Sequence, residues 1–415
     1  GGGEVGYARG MARRALLSVL VLALGCSSEP EVEPDAGAAP SPTRTSPGPS
    51  PEVGAVDSAA PLPDGAVPDA AVPEGPRTEV AFVGGGDGMV RTYALDPTTG
   101  ALSPLASVAA GNDPSYLAFD EARQLAFAID SGQNQVRTFA VSPKTGTLTA
   151  RGQAVGTGGT GATHVSLVPS GKYLLVAHYT SGHLAVVPVA ADGALSAPSD
   201  VVLAGDKAHF AEMDAAKRTV FVPCLGANVV ARYTLDETTG RLTALAPVAL
   251  PAGAGPRHLS FASGSPFVFV VNELASSVTS FSYDAATGGL GLVETKSSLP
   301  AGFAGANTGA AIFAHPSGKV VYASNRGEDS IARFTYDAQG RLTREGSVPT
   351  SGRIPRSFGL AGKGRFAYVA NQGSGTVYGY TIDPATFAMS PMGASAQITG
   401  LTSPKFVGTA RFVDK

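Results

Sequence analysis

The chain has 415 residues, a formal net charge of −3 at neutral pH and no tryptophan. No basic patch interleaved with aromatic residues is present, which argues against nucleic-acid binding. Its two cysteines, Cys26 and Cys224, and its six histidines form no cluster with zinc-ligand spacing. We therefore expect no nucleic-acid partner, no metal and no other cofactor.

The first residues predict an export signal. Met11 is followed by two arginines and then by an apolar run, residues 15–24, which is far shorter than the about 20 residues that span a bilayer. The sequence Leu-Ala-Leu-Gly-Cys26 resembles a bacterial lipobox, although its Ala-Leu order is the reverse of the usual one. An ordinary signal peptide with an incidental cysteine is the alternative. We expect residues 1–26 to be an upstream extension and a lipoprotein signal, with lipidation at Cys26 and, because Ser27 follows, sorting to the outer membrane.

Residues 27–77 consist mainly of Pro, Ala, Ser, Asp and Glu, with almost no aromatic residues. Such a segment buries too little apolar surface to offset its chain entropy, so we expect it to be disordered. Its proline-rich, acidic composition favours extended conformations. We interpret it as a tether that holds a folded domain, residues 78–415, away from a membrane.

A turn motif recurs through this domain. Asp-Pro-Thr-Thr-Gly100 has counterparts that end at Gly146, Gly193, Gly240, Gly288 and Gly340, at steps of 46 to 52 residues, and a seventh begins at Asp383. Asp and Gly at these positions suit a hairpin turn. The second period holds four strand-like pieces, at residues 116–119, 125–129, 136–141 and 148–154. Four strands in a period of this length are typical of a β-propeller blade.

The first turn motif has only two strands before it, at residues 80–83 and 89–95. The stretch Ser403-Pro-Lys-Phe-Val resembles the starts of other inner strands, such as Asp113-Pro-Ser-Tyr-Leu. We therefore predict an all-β fold: a seven-bladed β-propeller with four-stranded antiparallel blades. Pairing of residues 405–412 with residues 80–83 would close the ring and remove an exposed sheet edge.

In a blade the first strand lines the channel, and the second runs antiparallel beside it. The start of the first strand and the end of the second therefore open on one face. Polar residues at these strand starts are His164, Lys207, His209, Arg257, His258, Asn307, Arg356 and Lys405. Those at the strand ends are Asp130, His178, Tyr179, Asn272, Glu273, Asn325, Arg326, Asn371 and Gln372. A cationic, histidine-bearing mouth suits a small anionic ligand.

Several sequence stretches that contain these polar residues occur in order at blade spacing. They are Gly255-Pro-Arg-His-Leu, Val271-Asn-Glu-Leu, Val321-Tyr-Ala-Ser-Asn-Arg-Gly, and Pro355-Arg followed by Val369-Ala-Asn-Gln. Over residues 79–415 the chain resembles the seven-bladed lactonase family, which includes bacterial propeller-type 6-phosphogluconolactonase and fungal 3-carboxy-cis,cis-muconate lactonizing enzyme. The resemblance implies opening or closing of a lactone ring.

The resemblance carries the family's active-site positions over to His209, Arg257, Glu273 and Arg326. The two arginines would hold a phosphate or carboxylate, and Glu273 would activate water as a general base. His209 would donate a proton to the departing ring oxygen or stabilise the oxyanion. The alternatives are a structural Arg–Glu bridge between blades and a histidine that is simply a satisfied polar residue.

Further substrate contacts are expected from His258, Lys207, Arg356, Asn272, Asn325, His164 and His178. Two departures from the family suggest a changed pocket, because Lys207 replaces a usual histidine and Cys224 a usual aspartate. For Cys224 we expect buried packing, the alternative being a catalytic thiol.

We predict a monomeric lactone hydrolase, or a lactonizing cycloisomerase, that acts on a small anionic lactone and meets a membrane only through its lipid anchor. The alternative is a non-catalytic, surface-anchored propeller that binds a ligand or a protein partner.

Overall fold

The computed structural model describes residues 77–413. The regular secondary structure of this part of the chain is β-strand, apart from two single-turn 3-10 segments, Gly362–Gly364 and Ala394–Ala396. Within it, no helix has the length and hydropathy needed to cross a membrane. The predicted signal, the lipidation site Cys26 and nearly all of the predicted tether lie outside the described residues.

The strands form seven antiparallel sheets. In chain order they are β1 (Arg77–Gly85), β2 (Met89–Leu95), β3 (Leu102–Ala109), β4 (Pro114–Asp120), β5 (Leu125–Asp130), β6 (Gln135–Val141), β7 (Leu148–Gly156), β8 (Ala162–Leu167), β9 (Tyr173–His178), β10 (His183–Pro188), β11 (Asp200–Leu203), β12 (Glu212–Met213), β13 (Val220–Cys224), β14 (Val229–Asp236) and β15 (Arg241–Ala249). They continue with β16 (Pro256–Phe261), β17 (Phe267–Asn272), β18 (Ser277–Asp284), β19 (Gly289–Ser297), β20 (Thr308–Ala314), β21 (Val320–Arg326), β22 (Ser330–Tyr336), β23 (Leu342–Pro349), β24 (Pro355–Ala361), β25 (Phe366–Asn371), β26 (Thr376–Ile382), β27 (Met389–Pro391), β28 (Gln397–Ile398) and β29 (Pro404–Val413).

Each sheet is one blade, and the predicted seven-bladed, all-β fold is confirmed. Blades 2 to 7 begin with the inner strands β4, β8, β12, β16, β20 and β24, each followed by its next three strands, and β28 adds a short pair beside β26 in blade 7. Blade 1 has the order β29-β1-β2-β3, so its inner strand comes from the C-terminal end. The pairing runs antiparallel from Arg77 opposite Val413 to Gly85 opposite Pro404, which confirms the predicted ring closure.

The recurring turn joins the third and fourth strands of a blade. In blade 1, Asp96 Oδ1 accepts hydrogen bonds from the amides of Thr98 and Thr99, both at 2.8 Å. Gly100 then has a left-handed φ of +72°, and a Cβ there would lie 2.6 Å from the Phe366 ring of blade 7. Both backbone conformation and space therefore require glycine.

Blade 7 solves the same turn differently. Phe387 takes the left-handed place with φ of +57°, and its ring packs 5.0 Å from the imidazole of His315 in blade 6. In blade 7 the turn residue itself thus supplies the side chain that contacts the preceding blade. In the other turns a glycine stands at this position, and the preceding blade supplies the side chain.

The core lies between blades. Neighbouring residues on one strand of blade 1 pack into the junctions on opposite sides of that blade. Ala81 packs in the cluster shared with blade 7, and Phe82 in the cluster shared with blade 2. Because both faces of each blade are covered, the central strands are continuous apolar runs instead of alternating ones, and each fully buried large side chain contributes about 1.5–3 kcal/mol. A cluster of this kind fills every one of the seven junctions.

Aromatic rings from the inner strands fill the channel below its mouth. Tyr116 stacks on His164 at a ring-centroid distance of 4.2 Å, and His164 lies 3.9 Å from Phe210. Phe406 of β29 contacts Tyr116 at 4.9 Å. These rings form the floor on which a site at the channel mouth rests.

Candidate active site

A β-bulge recurs near the start of the inner strands and directs side chains to the mouth. In β16 the pairing with β17 skips from Pro256 to His258, so that Arg257 is the extra residue. Corresponding shifts leave Ser115, Thr163, Arg356 and Lys405 as the extra residues of β4, β8, β24 and β29. A bulge changes the direction of a side chain, and repetition around a ring makes the changed directions converge.

Four of these bulge residues, all except Arg257, line a cavity of about 270 Å³ at the channel mouth, which we call the mouth cavity. Its lining consists of Asp113, Ser115, Ser131, Gly161, Ala162, Thr163, Tyr179, Thr180, His209, Glu273, Arg326, Arg356 and Lys405. The lining has two sides: hydroxyl groups from blades 2 and 3, and cations from blades 6, 7 and 1.

Glu273 is the carboxylate at the centre of the cationic side. It follows the last residue of β17, and its Oε2 lies 2.9 Å from Arg257 Nε and 3.0 Å from Arg326 Nη2. The side chain is 17% exposed, so it reaches the cavity. A carboxylate that is held by two guanidinium groups yet open to a cavity can take up a proton from a bound water.

Arg257 stands behind Glu273 instead of lining the cavity. Its side chain is only 2% exposed, and its Nη1 donates to the carbonyl of Ala310 in blade 6 and contacts His258 Nε2 at 3.1 Å. Burial lowers the pKa of Arg257 well below its usual value, and the charges of Arg326 and Arg356 add to the effect. The direct grip on substrate that we expected of Arg257 is therefore corrected: its groups are occupied in positioning Glu273 and in joining two blades.

Arg326, at the end of β21, reaches the cavity with 14% of its side chain exposed. Besides Glu273, its Nη2 donates to the carbonyl of Gly309 at 3.0 Å. Its Nε has no hydrogen-bond partner within residues 77–413. Arg326 can thus hold Glu273 in place and still contact an anion.

His209 lines the cavity as a buried imidazole. Burial lowers its pKa well below the usual value, and the charges of Arg257 and Arg356 lower it further. The ring is therefore neutral at neutral pH, and its Nδ1 has no hydrogen-bond partner in the described part of the chain. A neutral imidazole is a weak proton donor, so the geometry favours hydrogen bonding to an oxyanion over the alternative of protonating the ring oxygen.

Arg356 and Lys405 are the cations of blades 7 and 1. Arg356 makes no hydrogen bond or ion pair to any of residues 77–413, and burial lowers its pKa, with a further contribution from the charge of Arg326. Lys405 Nζ lies 2.6 Å from Asp113 Oδ2. An unpaired guanidinium therefore faces the cavity beside a paired ammonium.

Hydroxyl groups form the opposite side, where sequence reasoning indicated Tyr179 but missed Ser115, Ser131 and Thr163. Ser115 and Ser131 hydroxyls lie 2.5 Å apart, and Ser131 Oγ also donates to the carbonyl of Ala162. Thr163 stands at the next bulge. The signal was present in the sequence, because Ser115 follows a proline at the same place as Arg257 and Arg356 do.

Two expected substrate-binding histidines lie below the cavity. His164 and His258 are both buried, and their rings belong to the channel stack, with His258 5.2 Å from the ring of His209. Burial lowers the pKa of His164 to about 3, and the charge of Arg257 contributes. These histidines pack as neutral aromatic rings, so their expected substrate contact is corrected.

The expected contacts from three strand ends are corrected as well. Asn272 and Asn325 are fully buried, and their amides donate to protein groups: Asn272 Nδ2 to Thr279 Oγ1 at 2.8 Å, and Asn325 Nδ2 to Glu328 Oε2 at 3.0 Å. His178 is also fully buried, contacts Thr157 Oγ1 at 2.8 Å, and has its pKa lowered by burial to about 4. At a strand end the alternation of side chains sends these three into the blade.

Lys207 lies at the rim, not in the lining. It has a left-handed φ of +55°, and its ammonium stands 5.8 Å from the centroid of the Tyr179 ring. Cys224 is a fully buried free thiol whose pKa burial raises to about 12, so the expected packing role is confirmed over a catalytic one.

Residues 78–406 match the protein family described as "Lactonase, 7-bladed beta-propeller". This chain belongs to that lactonase family. Of the positions that the resemblance indicated, Glu273, Arg326 and His209 line the cavity of this lactonase-family propeller, and Arg257 lies immediately behind Glu273. In the described residues, no three His, Cys, Asp or Glu side chains are grouped so as to hold a metal ion.

Relatives of this lactonase-family chain include enzymes named for lactone hydrolysis. A 6-phosphogluconolactonase of Sodalis glossinidius is 33% identical over 224 residues, which cover 54% of this chain and 67% of the relative. One from Pectobacterium carotovorum is 34% identical over 233 residues, covering 55% and 70%. The solved structure of a periplasmic gluconolactonase from Pseudomonas aeruginosa superposes with a TM-score of 0.74 and 28% identity, covering 81% of this chain and 100% of the other.

Proposed function

We propose that this protein hydrolyses a sugar-derived lactone to the open hydroxy acid. The observation that carries the proposal is Glu273, a carboxylate fixed by Arg257 and Arg326 and open to the mouth cavity. Membership of the lactonase family and the relatives named as gluconolactonases support the same reaction. The cavity volume of about 270 Å³ suits a ligand of monosaccharide size.

In the mechanism we propose, Glu273 takes a proton from a water molecule as that water attacks the lactone carbonyl carbon. The carbonyl oxygen becomes an oxyanion, which the neutral imidazole of His209 stabilises by a hydrogen bond. The carbonyl–ring oxygen bond then breaks, and Glu273 returns its proton to the departing ring oxygen. The product is a hydroxy acid, which releases one proton to solvent.

The substrate we propose is anionic, because Arg326, Arg356 and Lys405 outnumber Glu273 and Asp113 in the lining. A guanidinium without a protein partner, such as Arg356, is costly to bury and gains most from an anionic ligand. The hydroxyl side of the cavity suits the hydroxyl groups of a sugar ring.

A panel of lactones, assayed by the proton that hydrolysis releases, tests this function, with Glu273→Gln as the matched control. Turnover of at least one sugar lactone by the wild type, lost in the variant, is the expected result. A second function, a non-catalytic propeller that binds a ligand or partner, is favoured by one observation: Glu273 and Arg257 also connect blades 5 and 6 through Gly309 and Ala310. No hydrolysis across the panel would support that alternative.

We also propose that the protein is exported as a monomer and anchored by a lipid on Cys26, with residues 27–77 as the tether. The support is the short apolar run that ends at Gly25-Cys26. Cell fractionation of Cys26→Ser should release the protein from membranes, whereas unchanged membrane association would contradict the anchor.

A further inference from the structure

The strand that closes the ring also supplies a cation to the mouth cavity. Pro404 pairs with Gly85 and Phe406 with Gly84, so the bulge leaves Lys405 free of the ladder. Its ammonium lies 2.6 Å from Asp113 of blade 2, and both side chains remain about one-fifth exposed. An ammonium has three N–H donors, so the pair with Asp113 leaves others for a ligand.

Arg356 holds the corresponding bulge position on β24, the inner strand next to β29 around the ring. Its guanidinium has no partner in residues 77–413, and the charges of Asp113 and Glu273 both act on it. Arg356 and Lys405 therefore present donors to the same side of the cavity. Asp113 Oδ2 pairs with Lys405, whereas its Oδ1 is buried without a hydrogen-bond partner in residues 77–413.

We propose that Arg356 and Lys405 form the subsite for the anionic substituent of the lactone, and that Asp113 positions Lys405 for it. The bound group is a phosphate or a carboxylate, each of which offers a pair of acceptor oxygens that a guanidinium fork can bind with two parallel hydrogen bonds. Glu273 activates the water that attacks the carbonyl from the blade 5 side, while this subsite fixes the other end of the substrate. The inference rests on the proposed lactonase function and assigns its specificity.

The test compares three substrates: 6-phosphoglucono-δ-lactone, a carboxylated sugar lactone, and uncharged glucono-δ-lactone. Lys405→Met keeps the aliphatic stem and removes the charge. It should lower kcat/KM for the anionic lactone that the wild type prefers by about 10- to 100-fold, mainly through KM, because a charge-assisted hydrogen bond is lost. The fall in kcat/KM for uncharged glucono-δ-lactone should be smaller, so that the preference for the anionic lactone drops by about 10-fold or more. The two anionic substrates show whether phosphate or carboxylate is the natural group.

Arg411→Met is the matched control. Arg411 lies on the same strand and is 4.0 Å from Glu79, outside the mouth cavity, so its loss should leave the substrate ratio unchanged. Lys405→Arg retains a cation and should retain most of the preference. An equal fall on charged and uncharged lactones in Lys405→Met, or no change in the ratio, overturns the proposal.

Failure of the underlying function has a different signature, because the wild type would then hydrolyse none of the three lactones. In that case calorimetric binding of inorganic phosphate still tests the subsite. Phosphate should bind the wild type and Arg411→Met with similar affinity. It should bind Lys405→Met at least about 10-fold more weakly. Equal phosphate binding by all three, or none by the wild type, overturns it.

Discussion

Arg326 Nη2 and Glu273 Oε2 lie 3.0 Å apart although the two residues belong to different blades. Glu273 follows the second strand of blade 5, and Arg326 ends the second strand of blade 6. The ion pair therefore spans the junction between two blades at the point where we place the chemistry. Its geometry depends on blade packing, so activity and fold are linked at this pair.

Replacing Arg326 by methionine should mainly raise KM for an anionic lactone. An arginine that contacts the anion in both the ground state and the transition state contributes uniform binding, and its loss appears in KM more than in kcat. We expect a rise of about 10-fold or more. Arg344→Met, which removes a pair with Glu328 at 3.9 Å in the same blade but outside the mouth cavity, is the control and should leave KM unchanged. A fall in kcat at constant KM would contradict this role.

Replacing Arg356 by methionine should weaken substrate binding but stabilise the fold. The guanidinium is desolvated without a protein partner, which destabilises the folded state. Replacing a residue that is kept for function at the expense of stability commonly raises the free energy of unfolding by about 0.5–2 kcal/mol. Denaturant unfolding and KM for an anionic lactone would be measured on the same preparation. Loss of stability would show that Arg356 has a structural partner that the geometry does not reveal.

The ring closure should be sensitive to Phe412. This side chain is fully buried on β29 in the cluster between blades 1 and 2, with its ring 6.1 Å from Phe82. Phe412→Ala should cost about 3–5 kcal/mol of unfolding free energy, because it leaves a cavity where the two chain ends pair. The exposed Leu292 provides the control, and Leu292→Ala should change stability by less than about 0.5 kcal/mol. Similar effects of both variants would argue against closure by β29.

Stability should fall as pH drops below about 6.5, the usual pKa of histidine. Burial depresses the folded-state pKa of His209 and His258 and brings that of His164 to about 3. Below pH 6.5 these histidines are therefore protonated in the unfolded chain but not in the folded chain. Between the two pKa values, each such histidine lowers the unfolding free energy by about 1.4 kcal/mol for every unit by which the pH falls. Thermal unfolding from pH 7 to 5 checks this slope, which His164→Phe should reduce.

Glu212 should act in the opposite direction over nearly the same range. Burial raises its pKa to about 7, so the folded chain retains a proton that the unfolded chain releases above its usual pKa. Its contribution to stability is present at low pH and is lost as pH rises towards 7. Glu212→Gln should therefore stabilise the protein at pH 8 and steepen its loss of stability towards pH 5. If Glu212→Gln left the pH dependence of stability unchanged, that result would contradict the raised pKa of the Glu212 carboxyl.

The period of the turn motifs is enough to predict the blades, because the turns of the first six blades all end in a glycine with a left-handed φ. Ring closure follows from the missing strand of the first blade. The position of Glu273 beside Arg257 also follows, since a hairpin brings the start of one strand to the end of the next.

The direction of each side chain does not follow from strand position alone. Asn272 and Glu273 are adjacent at one strand end, yet the first points into the blade and the second into the cavity. The bulges that turn Ser115 and Lys405 to the mouth are shifts of register, which depend on pairing between strands and not on either strand by itself. For this reason the serine and threonine hydroxyls of the cavity were missed, and three buried strand-end residues were expected in it.

The rate of lactone hydrolysis by Glu273→Gln tests the central claim most directly. Glutamine keeps the size and hydrogen-bonding shape of the side chain but cannot take a proton. With a lactone that the wild type hydrolyses, kcat measured by proton release should fall by about 10²- to 10⁴-fold, the usual contribution of a general base, while the melting temperature stays close to that of the wild type. Wild-type turnover in a Glu273→Gln protein with a lowered melting temperature would show that Glu273 is a bridge between blades and not the catalytic base.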